Sequence, residues 1–398
     1  MTTVESAEPL AYPAARGSCP FAPPPPYQQA QRERPVTPIT LWDGSTSLLV
    51  TRHEDVRTVL RDPAFSADAT HPGFPFLTRN RQVLATDVSF IRMDDPEHAR
   101  LRRMLTADFM VKRTETLRPQ IQRITDDFLD RMTAHHPPAD LVAEFALPIP
   151  SLVICLLLGV PYEDHAFFQD RSRILLDTSA AAEEVDRAQR DLLDYLIRLA
   201  EEKRSDPDES IFGRLSARGA LSSREVAAMG RLLLVAGHET TANMIGLSTL
   251  ALLRDPAQQD RLRQGPDQVK AAVEELLRYL TIVHTGLPRV AIEDTVVGGH
   301  PVRAGEGVIC MLSTANRDEA VFPDADGLDL SRDARRHVAF GFGVHQCLGQ
   351  PLARVELQIA LETLFRRLPD LRLAVPFEEI RYRKDMVVYG VHELPVAW

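Results

Sequence analysis

Residues 340–349 read Phe340-Gly341-Phe342-Gly343-Val344-His345-Gln346-Cys347-Leu348-Gly349. A lone cysteine sits among three glycines, just before a helical pattern that begins near Gln350. Glycine reaches backbone conformations closed to other residues and lets the chain approach a flat ligand. Backbone N–H groups at a helix start favour an anionic sulfur. A thiolate with no second cysteine nearby suits the axial position of a haem iron. It suits zinc poorly, because a structural zinc takes four protein ligands. The plain alternative is a small buried cysteine in a turn. That is the reading for Cys19, Cys155 and Cys310; the fixed offsets of Phe340, the glycines, His345 and Gly349 set Cys347 apart.

Upstream, Ser222/Ser223 opens a helical run that reaches Arg254 and stops at Asp255-Pro256. Its length of about 32 residues gives roughly 48 Å, enough to cross a whole domain. In its middle stands Ala236-Gly237-His238-Glu239-Thr240-Thr241. Polar side chains are costly to bury there, and threonine hydroxyls can bond the carbonyl one turn back and bend a helix. The expectation is a distorted helix opening a groove; a solvated patch or an interhelical hydrogen-bond cluster is the alternative. A third pattern, Glu275-Leu-Leu-Arg278, puts two opposite charges on one helix face. Alone it is an ordinary surface pair.

The rest of the chain bounds the class. Its 398 residues allow two or three domains or one large unit. Apolar residues make up 44% and charged residues 26%, which excludes a disordered or fibrous chain. The net charge of −10 argues against a nucleic-acid binder. Four cysteines without a CxxC pair exclude a disulfide scaffold. The longest apolar run, 146–161, is too short to span a membrane and is interrupted by proline. No signal peptide is read, so a cytoplasmic location is expected. Residues 1–35 form a proline-rich arm, expected to be extended and to lie as a strap over the surface. Residues 37–52 read as a hairpin around Asp43-Gly44-Ser45. Helices are expected from Asp95-Pro96-Glu97 and from Asp267, with short strands and turns at 287–312. The sum is a mainly α protein with small β pieces, one domain over 36–398.

FGFGVHQCLG resembles the cysteine-ligand signature of the cytochrome P450 monooxygenases, and the likeness extends over nearly the whole chain. It is nearest to the soluble actinobacterial type that modifies natural products or oxidises xenobiotics. The resemblance implies a triangular α-helical domain with a small β-rich lobe and haem b as cofactor. Cys347 would be the axial iron ligand, with Phe340 and Gly349 beside it. His98, Arg102, Arg289 and His345 match the residues that clamp the haem propionates; a solvated helix-start histidine is the bland alternative for His98. Ala236 and Gly237 would leave room above the haem. Glu239 and Thr240 match the acid–alcohol pair that delivers protons during dioxygen activation, and His238 holds a variable position. Glu275, Arg278 and Arg332 match a structural network near the haem.

The implied reaction hydroxylates or epoxidises a bulky hydrophobic molecule: a polyketide or macrolide, a terpenoid or a xenobiotic. It uses O2 and two electrons from a ferredoxin and an NAD(P)H-ferredoxin reductase; the chain is too short to carry a fused flavin reductase as well. The basic run Arg100, Arg102, Arg103, Lys112 and Arg113, facing one acid at Asp108, would dock the acidic donor, unless it is a plain solvated helix face. Substrate walls would come from about 70–92, the mid-helix groove, 283–288 and Met386-Val387-Val388. Residues 71–78 would be a lid, and Thr285, Gly286 and Leu287 suggest a roomy site. A peroxide-driven peroxygenase and a non-catalytic haem sensor or carrier are the other readings.

Overall fold

The computed structural model describes residues 9–78 and 89–398. The helices that position the site are α1 (Pro25–Glu33), α2 (His53–Arg61), α3 (Glu97–Thr106), α4 (Val111–Thr133), α5 (Pro148–Leu158), α6 (Ala182–Ser205), α7 (Ser223–Leu253), α8 (Pro266–Leu280) and α9 (Gln350–Arg367). The main sheet is made of β1 (Leu10–Ala11), β2 (Val36–Thr40), β3 (Thr46–Val50), β4 (Phe65–Ser66), β5 (Leu287–Ala291) and β6 (Gly307–Cys310), in the order β1-β2-β3-β6-β5-β4. Helices dominate and the β structure is small.

Helix α7 is the axis of the molecule. Ser222 accepts from the Glu225 N–H at 3.2 Å while the Glu225 carboxylate accepts from the Ser222 N–H at 2.8 Å, a reciprocal cap. Pro256 then begins the next helix and ends this one. Between these signals 31 residues are buried on most sides, packed by α5, α6, α8 and α9. The expected distortion is absent, and α7 runs as unbroken helix through 236–241. Its polar side chains bond back one turn instead: His238 Nδ1 lies 2.6 Å from the Leu234 carbonyl, and Thr240 Oγ1 donates to the Ala236 carbonyl at 2.6 Å. A carbonyl has two lone pairs, so it accepts these bonds beside the helical one. Among the described residues, no helix is long and apolar enough to cross a membrane.

The arm departs from the extended expectation. β1 joins the sheet parallel to β2, and the prolines at 23–26 lead into α1, because proline suits a first helical turn. Tyr12, Phe21 and Tyr27 are buried, so the arm is seated in the domain rather than laid upon it. The hairpin forms as expected: Val36 pairs with Val50 and Thr40 with Thr46, and Gly44 turns with φ 80°.

Glu275 and Arg278, spaced three apart on α8, are wholly buried. Arg278 Nε and Nη2 donate to the two Glu275 oxygens, each at 2.7 Å. Arg278 also donates to the carbonyls of Asn316, Ala325 and Gly327. Arg332 Nε donates to Glu275 at 3.2 Å. The three charges thereby tie α8 to the irregular stretch 316–339 that leads into the cysteine loop. Removing one partner of a buried ion pair costs about 3–5 kcal/mol. Arg278→Ala is therefore expected to lower the unfolding free energy by about that much, as measured by urea denaturation.

Candidate active site

A cavity of about 310 Å³ lies between α7 and the loop 339–349. Ala236, Gly237, Thr240, Thr241 and Met244 face it from α7; Phe340, His345, Cys347 and Gly349 face it from the loop. Gly341 and Gly343 hold φ angles of 71° and 73°. A Cβ on Gly343 would stand 2.3 Å from the Leu60 carbonyl oxygen, so only glycine lets the loop sit on α2. Cys347 N–H donates to the Phe340 carbonyl at 2.9 Å, closing the loop. Cys155 and Cys310 are buried elsewhere with thiols pushed up to about 12 by desolvation; Cys347 opens onto the cavity. The surrounding protein still raises the Cys347 thiol, against the pull of the Gly349 amide, Arg102, Arg354 and the Gln350 amide. A bound metal removes that proton outright.

One rim of the cavity is cationic. The His98 and His345 rings meet at 4.0 Å. His345 is pushed down to about 3, first by burial and then by Arg289, His98, Arg102 and Arg92. Arg289 is buried and donates to the Pro288 carbonyl, and Arg102 donates to the Gln346 carbonyl. His98 Nδ1 lies 3.0 Å from Asp95, while its buried Nε2 has no partner. Donors outnumber acceptors here, as a site for carboxylates requires. A thiol in the floor, apolar walls and a cationic rim fit haem b with its two propionates.

Thr240 faces the cavity, but Glu239 lies on another side of α7. Its carboxylate accepts from Arg383 Nη1 at 3.0 Å and from Asn243 Nδ2 at 3.4 Å. His238, wholly buried, stands 4.0 Å from the same carboxylate. Gly237 has a packing reason, since a Cβ there would lie 2.9 Å from Ile154. The basic run also divides. Arg100 forks onto Glu97, Arg102 turns inward, and Asp108 is taken by Arg214. Arg103, Lys112 and Arg113 stay exposed beside exposed Met110 and Val111.

Of the expected walls, Phe90, Ile91, Val283 and Leu287 line the cavity, while 79–88 lie outside the described residues. Met386 and Val388 do not line it; Val388 backs Val283 through a bridge, while Met386 bridges to Asp177. Gly286 does not make room. With φ 69° and a Cβ position 2.8 Å from the Cys310 carbonyl oxygen, it serves a close backbone approach. Sequence reasoning missed Arg383, which carries no local signal, and Asn243, which the four-residue spacing from Glu239 could have given.

The sequence pattern described as Cytochrome P450 matches residues 28–369. The chain belongs to the cytochrome P450 family. It is 66% identical to Cytochrome P450-SU2 of Streptomyces griseolus over all of both chains. It is 49% identical to pentalenic acid synthase of Streptomyces avermitilis over 98% of each. The crystal structure of the mycinamicin VIII C21 methyl hydroxylase MycCI from Micromonospora griseorubida superposes with a TM-score of 0.93 at 42% identity, over 98% of this chain and all of that one. This P450 is a monooxygenase with haem b as its cofactor.

Sequence reasoning also missed Glu274, which braces the P450's cysteine loop from outside. It accepts from Arg354 at 2.6 and 3.0 Å and lies 3.1 Å from His337. Arg354 in turn sits over the Phe340 ring at 4.6 Å. Burial raises the Glu274 carboxyl, but the bonds from His337 and Arg354 outweigh it and bring it to about 2. A depressed carboxyl contributes stability above its unfolded value and loses it as pH falls towards the folded one. Glu274→Gln is therefore expected to cost roughly 2 kcal/mol at pH 7. The difference from the parent should shrink between about pH 5 and pH 2, as read by denaturation at each pH.

Proposed function

We propose that this P450 hydroxylates or epoxidises a bulky hydrophobic molecule of the polyketide, macrolide or terpenoid kind. In this reading two electrons come from a ferredoxin and its NAD(P)H-linked reductase. The observation that carries the substrate class is the wall of the cavity: Phe90, Ile154, Leu232, Met244 and Leu287 are apolar, and the hydroxyls of Thr240 and Thr241 stand among them. Such a wall binds by apolar burial and orients by a few polar groups. The relatives named for mycinamicin VIII and for pentalenic acid support this reading.

Cys347 would ligate the haem iron, and the helix start behind it favours the thiolate. His98, Arg102, Arg289 and His345 would hold the propionates, and the orphan His98 Nε2 is a donor left for such a carboxylate. Phe340 and Gly349 would bound the group at the loop, and Ala236 would leave room for it beside α7. When bound, haem b supplies dioxygen activation and insertion of one oxygen atom into an unactivated carbon. Thr240 directs a proton into the cavity by turning its hydroxyl away from the Ala236 carbonyl. Glu239, released from Arg383, takes up a proton from water and returns it towards the Thr240 hydroxyl. The Glu275, Arg278 and Arg332 network keeps the cysteine loop in register. Arg103, Lys112 and Arg113, beside Met110 and Val111, form the face that steers an acidic donor.

The test is reconstitution of the purified holoenzyme with macrolide and terpenoid panels. Expected are a substrate-induced spin-state shift and turnover with NADPH, ferredoxin and reductase that slows as salt rises. Equal turnover with peroxide alone would overturn the donor reading. Cys347→Ser is expected to lose the long-wavelength band of the reduced carbon monoxide complex. Thr240→Ala is expected to keep consuming NADPH while diverting most electrons to peroxide; full coupling would contradict the role given to its hydroxyl.

A further inference from the structure

We propose that the N-terminal arm sets the shape of the substrate wall, with Tyr12 and Arg16 positioning Val283 and Leu287 and so deciding which molecules the cavity accepts. This rests on the reading of the Cys347 cavity as the haem and substrate site. The wall is the irregular link between α8 and β5. It leaves α8 at Thr281 with φ 36°, and its Ile282, Val283 and Leu287 line the cavity. A link of this kind takes its position from what backs it.

Two supports back it. The C-terminal turn gives the first: Tyr389 N–H donates to the Ile282 carbonyl at 2.8 Å, and His284 Nε2 lies 2.5 Å from the Met386 carbonyl. The arm gives the second, since Tyr12 Oη donates to the Thr285 carbonyl. The arm also holds the first support in place. The Arg16 guanidinium lies over the Tyr389 ring at 3.9 Å, and that ring stacks on Tyr382 and tilts against His284.

Arg16 is an expensive way to pack a ring. Its Nη1 donates to the arm's own carbonyls, Ala22 at 2.7 Å and Pro20 at 3.3 Å, while buried Nε and Nη2 have no partner. Among the described residues, no carboxylate is among the charges that act on it. A desolvated cation without an acid is costly, and the face of Tyr389 is its main compensation. Burial together with Arg16 pushes His284 down to about 4, so a neutral ring meets the Met386 carbonyl. The arm is rigid enough for this task. Tyr27 Oη accepts from the Ala14 N–H at 2.7 Å, and the Tyr12 and Tyr27 rings stack in a cluster with Ile39, Leu49 and Met311.

The test uses full-chain holoenzyme and two azoles that bind ferric haem, imidazole and 4-phenylimidazole, each titrated by its Soret shift. Imidazole is too small to meet the wall; the phenyl ring must meet it. Arg16→Ala and Tyr12→Phe are expected to keep the reduced carbon monoxide band and to bind imidazole like the parent. Their affinity for 4-phenylimidazole should shift by about fivefold or more. Arg16→Lys, which keeps a cation over Tyr389, should restore most of the parent value. Unchanged affinity for both azoles would overturn the proposal, and so would a parallel change in both, which would mean the arm supports the haem seat as a whole. If Arg16→Ala fails to hold haem, Tyr12→Phe decides, because it removes one hydroxyl and leaves the ring. Absence of the carbon monoxide band in the unmodified protein would instead sink the reading of the cavity itself.

Discussion

The buried carboxylate of Glu275 is the constraint on which the rest depends. The stretch 316–339 carries little regular structure, yet many of its backbone groups lie inside the protein. Buried carbonyls must find donors, and Arg278 gives its planar fork to three of them while Glu275 neutralises it. Arg332 adds a second cation to the same carboxylate. Burying such charges gains little by itself; what it yields is a fixed path for a chain that no ladder holds. The next-door residue, Glu274, does the same for the far end of the path through Arg354 and His337. Two consecutive acids on one helix thus govern where Cys347 stands.

Electrostatics then divides the cavity into regions. The floor holds a sulfur whose thiol burial raises, against the opposing pull of amides and arginines. The rim holds cations in excess, with His345 as their meeting point. The walls between are apolar, so neither charge set is screened by water. A flat cofactor with one soft ligand site and two acid arms complements this arrangement in both shape and sign. Glu239 is kept apart from it, behind α7, in a small polar cell with His238, Asn243 and Arg383.

Much of this was legible as local pattern. The cysteine loop, the capped central helix and the Glu275–Arg278 pair are all encoded within ten to thirty residues, where spacing and turn chemistry speak directly. The helix start at Pro25 was also local, but the run of prolines around it read as an extended arm. What escaped was tertiary. Nothing near Arg383 marks it as the partner of Glu239, 144 residues away. Periodicity showed Glu239 and Thr240 together, whereas about 100° of helix rotation per residue sends them to different surroundings. α7 stays continuous where a distortion was expected, because side chains share carbonyls with the helix instead of competing for them.

Gly343 packs its backbone on Leu60 and Arg61, and Arg57 lies over the neighbouring Phe342 ring. The cysteine loop is thus seated on a helix drawn from the first sixth of the chain and braced by one about two thirds of the way along it. Its geometry is therefore a product of long-range closure, the slowest class of contact to form. Cys347 cannot be presented by this loop until nearly the whole polypeptide has come together. A cofactor that needs this loop therefore needs a chain that is already nearly folded.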